Sequence, residues 1–406
     1  MKAFPITYWY GIRSEFLCKE RIEEAIACGF NVIECCYDPE DNFRVLKWCD
    51  ELGVRAIVSD GRIYAALNQS EGWQDSLRAM MDDYREYPAL LYYHLKDEPT
   101  EPQFALLSTI AEFMKEYDPA HPAYINLLPV PALANAENYA HYVRTFMETV
   151  HPAILSYDHY SFQKKEVEAL TDMPEAIVSP ECRERNHTEG VLYEKYNRPS
   201  FFDNLEICRS LSEEFQTPFM SIILAVEHWD YRLLNEAELR WEAFNCMAYG
   251  ISMLSYFTYW TPGISHGEPW SYHHGIINAD GSRDAHYDMV KSINAELAVI
   301  GPMLLERKST GVFHVGPEID QVVPFEGFNG IDAIEARTLT AGFFDDDILL
   351  IVNKDIESTQ TVRIRTGKAL SILDKKTLTR TELFPSAGGV YTIELAAGDG
   401  AMLHIR

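Results

Sequence analysis

The chain has 406 residues, with 35 Lys and Arg against 62 Asp and Glu and a formal charge of −27. Phosphate backbones and anionic lipid surfaces select basic proteins, so nucleic acid and membrane are excluded as main partners. Apolar residues make up 47%, enough in so long a chain for a sizeable core, and no apolar run reaches the ~20 residues that span a bilayer.

The segment from Met1 to Thr7 lacks a basic stretch, a long apolar run and a small-residue cleavage site. No secretory signal is therefore read, and the cytoplasm is the expected location; a chain trimmed of a leader would belong in the periplasm or outside the cell. From residue 4 one pattern repeats: a short apolar run, a polar turn, an amphipathic stretch, then Gly or Pro. The runs at 4–10, 31–37, 55–60, 89–97, 123–129, 153–160, 218–227 and 251–260 are nearly continuous in apolar residues, as strands buried on both faces are. Helical periods fall between them. Ile22, Ala25 and Ile26 precede Gly29, and Phe43, Leu46 and Cys49 precede Gly53. Later helices are predicted over 103–117, 138–149, 202–215, 236–249 and 285–300.

Eight such units predict a (β/α)8 barrel over residues 1–306, since no G-x-G-x-x-G or Walker motif points to an open doubly wound sheet. The stretch 163–200 reads as an elaborated loop after the sixth strand. Beyond residue 306 the texture changes to period-two runs and turn signals such as Asn353-Lys354-Asp355 and Ala387-Gly388-Gly389. Residues 307–406 are thus expected to form a small antiparallel β-sandwich. This tail carries a net charge of −3 against −24 for the rest, and all seven tryptophans precede it. Chemistry is expected in the barrel. Of eight cysteines none forms a C-x-x-C pair, so buried free thiols are expected rather than a zinc or redox site.

Barrel enzymes place their chemistry where the strands end. Those ends read Tyr8-Trp9-Tyr10, Glu34 to Asp38, Asp60, Asp97-Glu98-Pro99, Asn126, Asp158-His159-Tyr160, Glu227-His228-Trp229 and Tyr259-Trp260. Carboxylates and aromatic rings converge there with few basic groups. Such a mouth suits a sugar, whose apolar faces stack on rings while its hydroxyls bond to carboxylates, better than a phosphorylated substrate. An oligosaccharide or polysaccharide is the expected partner. No motif calls for a cofactor, and the oligomeric state is left open.

Glu98 and Glu227 are the candidate catalytic pair. The charge of Asp97 beside Glu98 would raise a carboxyl pKa, as a general acid requires. Glu227 ends the seventh run and could face Glu98 across the mouth; carboxyls about 5–5.5 Å apart favour a double-displacement, retaining glycosidase. The plainer alternatives are a solvated loop residue for Glu98 and an ion-pair partner of Arg232 or Arg240 for Glu227. Tyr10, Asp97, Asp158, His159, Tyr160, His228 and Trp229 are candidate substrate ligands, with Asp158 the reserve nucleophile. Glu34, Asp60 and Glu181 are weaker candidates, each more often an ion-pair or capping residue.

Asp97-Glu98-Pro99 after the fourth strand resembles the Asn-Glu-Pro signature of clan A glycoside hydrolases. The resemblance implies a (β/α)8 barrel with the acid/base glutamate on the fourth strand, matching Glu98, and the nucleophile on the seventh, matching Glu227. Met247-Ala248-Tyr249-Gly250 and Tyr256-Phe257-Thr258-Tyr259-Trp260 are similar to the seventh helix and eighth strand of β-galactosidase-like barrels, which implies for Trp260 the role of aromatic floor to the sugar. Leu395-Ala396-Ala397-Gly398-Asp399-Gly400 resembles the end of sandwich modules that follow such barrels. The chain departs from the signature at Asp97, because a carboxylate accepts from a sugar 2-hydroxyl but cannot donate as an amide does. Two rivals stand beside this reading. One is a metal-dependent isomerase or hydrolase with Glu98, Asp158, His159 and Glu227 as ligands, although no H-E-x-x-H occurs. The other is a glycan-binding barrel without turnover.

Overall fold

The computed structural model of the chain describes residues 3–163, 200–228, 231–262, 272–317 and 321–406. Residues 164–199 of the long loop, Glu181 among them, and Trp229 lie outside these. Eight parallel strands form one sheet: β1 (Ile6–Trp9), β2 (Val32–Cys36), β3 (Arg55–Ser59), β4 (Leu90–Asp97), β5 (Ala123–Leu127), β6 (Leu155–Asp158), β7 (Phe219–Leu224) and β8 (Met253–Phe257). They neighbour one another in chain order, and β8 pairs back onto β1 from Ile6 opposite Leu254 to Trp9 opposite Phe257. The remaining seam, between β1 and β2, is stitched largely by one side chain. Asn31 accepts the Ile6 N–H at 2.8 Å, donates to the Phe4 carbonyl at 2.8 Å, and sends its own N–H to the Ile6 carbonyl at 3.1 Å. The result is the (β/α)8 barrel expected.

Alternation along the strands sorts residues between two faces. Ile6, Ile33, Val58, Tyr93, Leu127, Ile223 and Leu254 join the large core under the helices. Val32, Ile57, Tyr124, Ile154, Met220, Ile222 and Met253 form a separate apolar layer inside the barrel, with the rings of Trp9, Tyr160 and Phe257 packed on it. The covering helices are α1 (Lys19–Ala27), α2 (Pro39–Leu52), α3 (Ile63–Leu67), α4 (Trp73–Tyr84), α5 (Phe104–Tyr117), α6 (Ala136–Val150), α7 (Phe201–Phe215), α8 (Glu236–Ala248) and α9 (Ala285–Leu305). α3 and α4 are not among the elements expected from the sequence. α4 buries Leu77, Met80, Met81 and Tyr84, an i, i+3, i+4, i+7 stripe set among charged residues.

The second layer system is antiparallel throughout. β9 (Ser309–Val315), β11 (Leu339–Phe344), β12 (Ile348–Asn353), β17 (Gly400–Ile405), β14 (Leu370–Leu373) and β15 (Arg380–Glu382) make a six-stranded sheet in that order, facing a three-stranded one of β10 (Ile331–Glu335), β13 (Gln360–Thr366) and β16 (Val390–Leu395). Leu339, Phe343, Leu349, Ile351, Val362, Ile364 and Leu403 fill the space between them. The far face of the larger sheet, with Phe344, Ile348, Leu350, Val352 and Met402, belongs to the barrel's own core. β12 is accordingly buried along its whole length.

α8 joins the two parts, buried on nearly every side between β7 and the large sheet. Its backbone comes so close that a Cβ at Gly342 would overlap the Ala248 carbonyl, and one at Gly398 the Ala237 carbonyl. An ion network closes the same interface. Arg240 of α8 bonds both oxygens of Glu296 at 2.9 and 3.0 Å and reaches Asp399 at 3.1 Å, while Lys375 sits 3.0 Å from Glu296 and 2.6 Å from Asp399. Removing one partner of a buried pair costs about 3–5 kcal/mol, and Lys375 remains to cover part of that. Arg240→Met is thus expected to destabilise the whole chain by about 2 kcal/mol, read as a fall of several degrees in Tm; an unchanged Tm would show the network to be ornamental.

Cys28, Cys35, Cys49, Cys208 and Cys246 are buried free thiols, and Cys18 and Cys36 are also unpaired. Among the described residues no helix is long and apolar enough to cross a membrane.

Candidate active site

β4 shifts register against β5 between His94 and Lys96, and beyond the shift Asp97 lies opposite Asn126. Such irregularities re-aim the side chains that follow. Glu98 then enters the left-handed region at φ 46, a conformation that costs a non-glycine residue about 1–3 kcal/mol and persists only when its surroundings enforce it. Two contacts do so. The Glu98 N–H donates to the Asn126 carbonyl at 2.8 Å, and the next carbonyl, of Pro99, accepts the Tyr142 hydroxyl at 2.6 Å.

Asn126 is the hub of the site. Its amide nitrogen donates to Asp97 at 3.2 Å and to Asp158 at 2.9 Å. Its oxygen accepts the Ser156 hydroxyl at 2.8 Å, which orients the amide group towards the two acids, and Tyr124 completes the chain at 3.0 Å from Ser156. Asn126 was legible only as one polar residue ending the fifth apolar run; Tyr124 and Ser156 gave no separate signal.

Asp97 and Asp158 beside this amide, and Glu98 next to Asp97, hold their protons more tightly than isolated acids do. Asp97 and Glu98 are open to solvent at the rim, but the walls of the mouth still crowd their carboxyls. That crowding is the larger push on Glu98 and the charge of Asp97 the second, and together they raise it to about 7 against the pull of Lys96. Crowding also raises Asp97, although the Asn126 amide opposes it. Asp158 is buried, faces both Glu98 and Asp97, and lies well above the usual carboxylate range. Of the three it is the one wholly enclosed, and the charges of Glu98 and Asp97 add to the upward push of burial.

The remaining candidates divide by strand alternation. Tyr160, two residues beyond Asp158, joins the interior, stacked on Phe257 at 5.4 Å. His159 between them turns outward, fully buried against Phe201 of α7, with Ser200 and Ser161 at 3.4 and 3.5 Å from its nitrogens. It is placed to support the wall rather than to touch a ligand. β7 ends at Leu224, so Glu227 is not its last residue; it pairs with His273 in a two-residue antiparallel bridge above the sheet. His228 stacks on Tyr272 at 4.9 Å and packs against Tyr160, Tyr231 and Phe257. Tyr10 stands at the end of β1 with 37% of its surface exposed.

Trp260, expected as an aromatic floor, has no exposed surface: Phe16 packs on its ring at 5.1 Å and the Arg21 guanidinium lies over it at 5.4 Å. A ring covered in this way has no face to offer a sugar. The partly exposed rings inside the mouth are Trp9, Tyr160 and Phe257. Asp60 is a structural residue. Burial pushes its carboxyl up, but hydrogen bonds from Arg62 and Tyr84 outweigh that and hold it below the usual range. Glu34 lies inside the barrel, where burial raises it to about 8. Among the described residues no three His, Cys, Asp or Glu side chains are grouped to hold a metal ion, and Asp158 and His159 point to opposite faces of β6.

The sequence matches no family model and no curated protein. The fold does have counterparts. It is similar to a family 39 glycoside hydrolase from the gut symbiont Bacteroides cellulosilyticus WH2, with TM-score 0.54 and 11% identity over 99% of this chain and 81% of that one. It is similar also to a second structure described as a glycoside hydrolase, with TM-score 0.54 and 12% identity over 99% of this chain and 91% of the other. At that identity the likeness is one of fold, and it takes in the barrel and the sandwich together.

Proposed function

We propose that the chain is a retaining glycoside hydrolase acting on a β-linked glycan or oligosaccharide, with Glu98 as acid/base and Glu227 as nucleophile. The observation that carries this reading is the Glu98 carboxyl, set in an enforced left-handed turn at the barrel mouth and raised to about 7 between two other acids. A group so poised can give a proton and take one back near neutrality. Glu98 protonates the departing glycosidic oxygen while the Glu227 carboxylate attacks the anomeric carbon, and the bond to the leaving group breaks. Glu98, now ionised, takes a proton from water, whose oxygen displaces Glu227 and frees the sugar.

Burial and two neighbouring acids disfavour the ionised form of Asp158, which a nucleophile needs, so it serves better as a ligand to a sugar hydroxyl. Asp97 accepts, and Asn126 orients both acids. Trp9, Tyr160 and Phe257 offer the apolar faces on which a pyranose stacks, and Tyr10 and His228 complete the candidate binding group. A metal-dependent reaction finds less support, because His159 faces away from the acids. A barrel that only bound glycan would have no use for the strained turn at Glu98.

The direct test is release of nitrophenolate from a panel of nitrophenyl β-glycosides by the wild type; no turnover on any of them would count against the reading. Within it, Asn126→Ala deprives two carboxyls of one shared donor. The loss expected in kcat/KM is about 100-fold, with the fold and Tm kept near wild type.

A further inference from the structure

Glu34 is the third residue of β2 and, two places from Val32 of the interior layer, points into the barrel. Its Oε2 accepts the Gly11 N–H at 3.0 Å, and the Tyr10 N–H bonds to the same carboxyl. Tyr10 itself occupies the left-handed region at φ 57. Its carbonyl accepts the Trp260 N–H at 3.0 Å. Both backbone groups of this strained residue are therefore held, one by the chain after β8 and the other by the Glu34 side chain. The titratable groups that face Glu34 are Tyr8, Tyr10, Tyr37, Cys35, Cys36 and Asp97, all neutral or acidic. His94 lines the same chamber and is driven by burial to about 4, hence uncharged. In these surroundings the carboxyl stays protonated at neutral pH and places no second charge beside Asp97.

We propose that Glu34 is a positioning residue of the barrel mouth: through the Tyr10 and Gly11 amides it fixes the left-handed turn that presents the Tyr10 ring to substrate. This rests on the reading of the mouth as a glycosidase site. The same observations explain why a polar residue sits in an otherwise apolar strand.

Three variants separate anchoring from general support. Glu34→Leu removes the acceptor. Glu34→Asp keeps a carboxyl but, one methylene shorter, withdraws it from the two amides, and it carries the comparison if the leucine variant fails to fold. Glu34→Gln keeps an acceptor of the same reach. With a nitrophenyl β-glycoside that the wild type hydrolyses, KM should rise about tenfold in the Leu and Asp variants with kcat much less affected, and Gln should recover most of the loss. Tyr10→Ala should give the same rise, and adding Glu34→Leu to it should give no more. Additive effects, or a glutamine variant as poor as leucine, would overturn the proposal. A crystal structure of Glu34→Asp supplies the second readout: Tyr10 is expected to leave the left-handed region, and a Tyr10 in its original place defeats the anchoring. That readout needs no turnover, so a wild type inactive on every glycoside would sink the hydrolase reading while the position of Tyr10 still decides this one.

Discussion

Glu98→Gln should lower kcat on a glycoside with a poor leaving group by about 10²–10⁴-fold, the usual contribution of a positioned general acid. The pH profile makes the test sharper. The working acid is the protonated form, and the carboxyl is raised to about 7. Activity that depends on it is therefore present at lower pH and lost as pH rises through about 7, which gives kcat/KM its basic limb. Glutamine does not titrate, so the variant should show a flat low rate where the wild type falls. A dinitrophenyl leaving group departs without a proton, so the first step on such a substrate should be nearly spared and release of the sugar slowed instead. A variant that hydrolyses alkyl glycosides at the wild-type rate, with its basic limb intact, would remove Glu98 from the mechanism.

Glu227→Ala should cost more, on the order of 10⁴-fold or greater, because no other group then forms the bond to the anomeric carbon. The space left by the side chain admits a small anion. Added azide should restore turnover of an activated aryl β-glycoside by attacking the anomeric carbon itself, giving a glycosyl azide of inverted, α configuration. Asp158→Ala provides the control. If azide rescues that variant and leaves Glu227→Ala inert, the nucleophile is Asp158 and the roles assigned here must be exchanged. Asp158 is buried and faces two other acids, which disfavours its ionised form, and that is the reason for expecting the first result.

Much of the fold could be read along the chain because its strands are buried on both faces, and burial writes itself as apolar runs. The run containing Leu90 to Asp97 is a strand for that reason. α4 is harder to read: Leu77, Met80, Met81 and Tyr84 carry a helical period, but charged residues dilute the stripe and no strand-like run marks its edge. The full burial of β12 had a different source. It looked like a half-exposed, alternating strand, and only the docking of the large sheet onto α8 covers its second face. The motif Asp97-Glu98-Pro99 falls where β4 ends, whereas Asn126 became a hub only once β5 was laid beside β4 and β6.

What the sequence determined by itself was local and periodic: which segments are strands, that they alternate with helices, and which polar residues end them. Those features depend on a residue and its near neighbours. The direction of each side chain in the mouth was a different matter. Asp158, His159 and Tyr160 are consecutive polar or aromatic residues, and a period of two sends the middle one out to α7 and the others inward. Trp260 ends the eighth run as an exposed ring would, yet Phe16 and Arg21, more than 200 residues earlier, cover it. The proton affinities were likewise decided by tertiary structure, because burial raises Glu34, Glu98 and Asp158, the charge of Asp97 adds to each, and that of Glu98 adds to Asp158. Propensity and pattern act over a few residues, while desolvation and electrostatics act through space, and only the closed barrel brings these acids together.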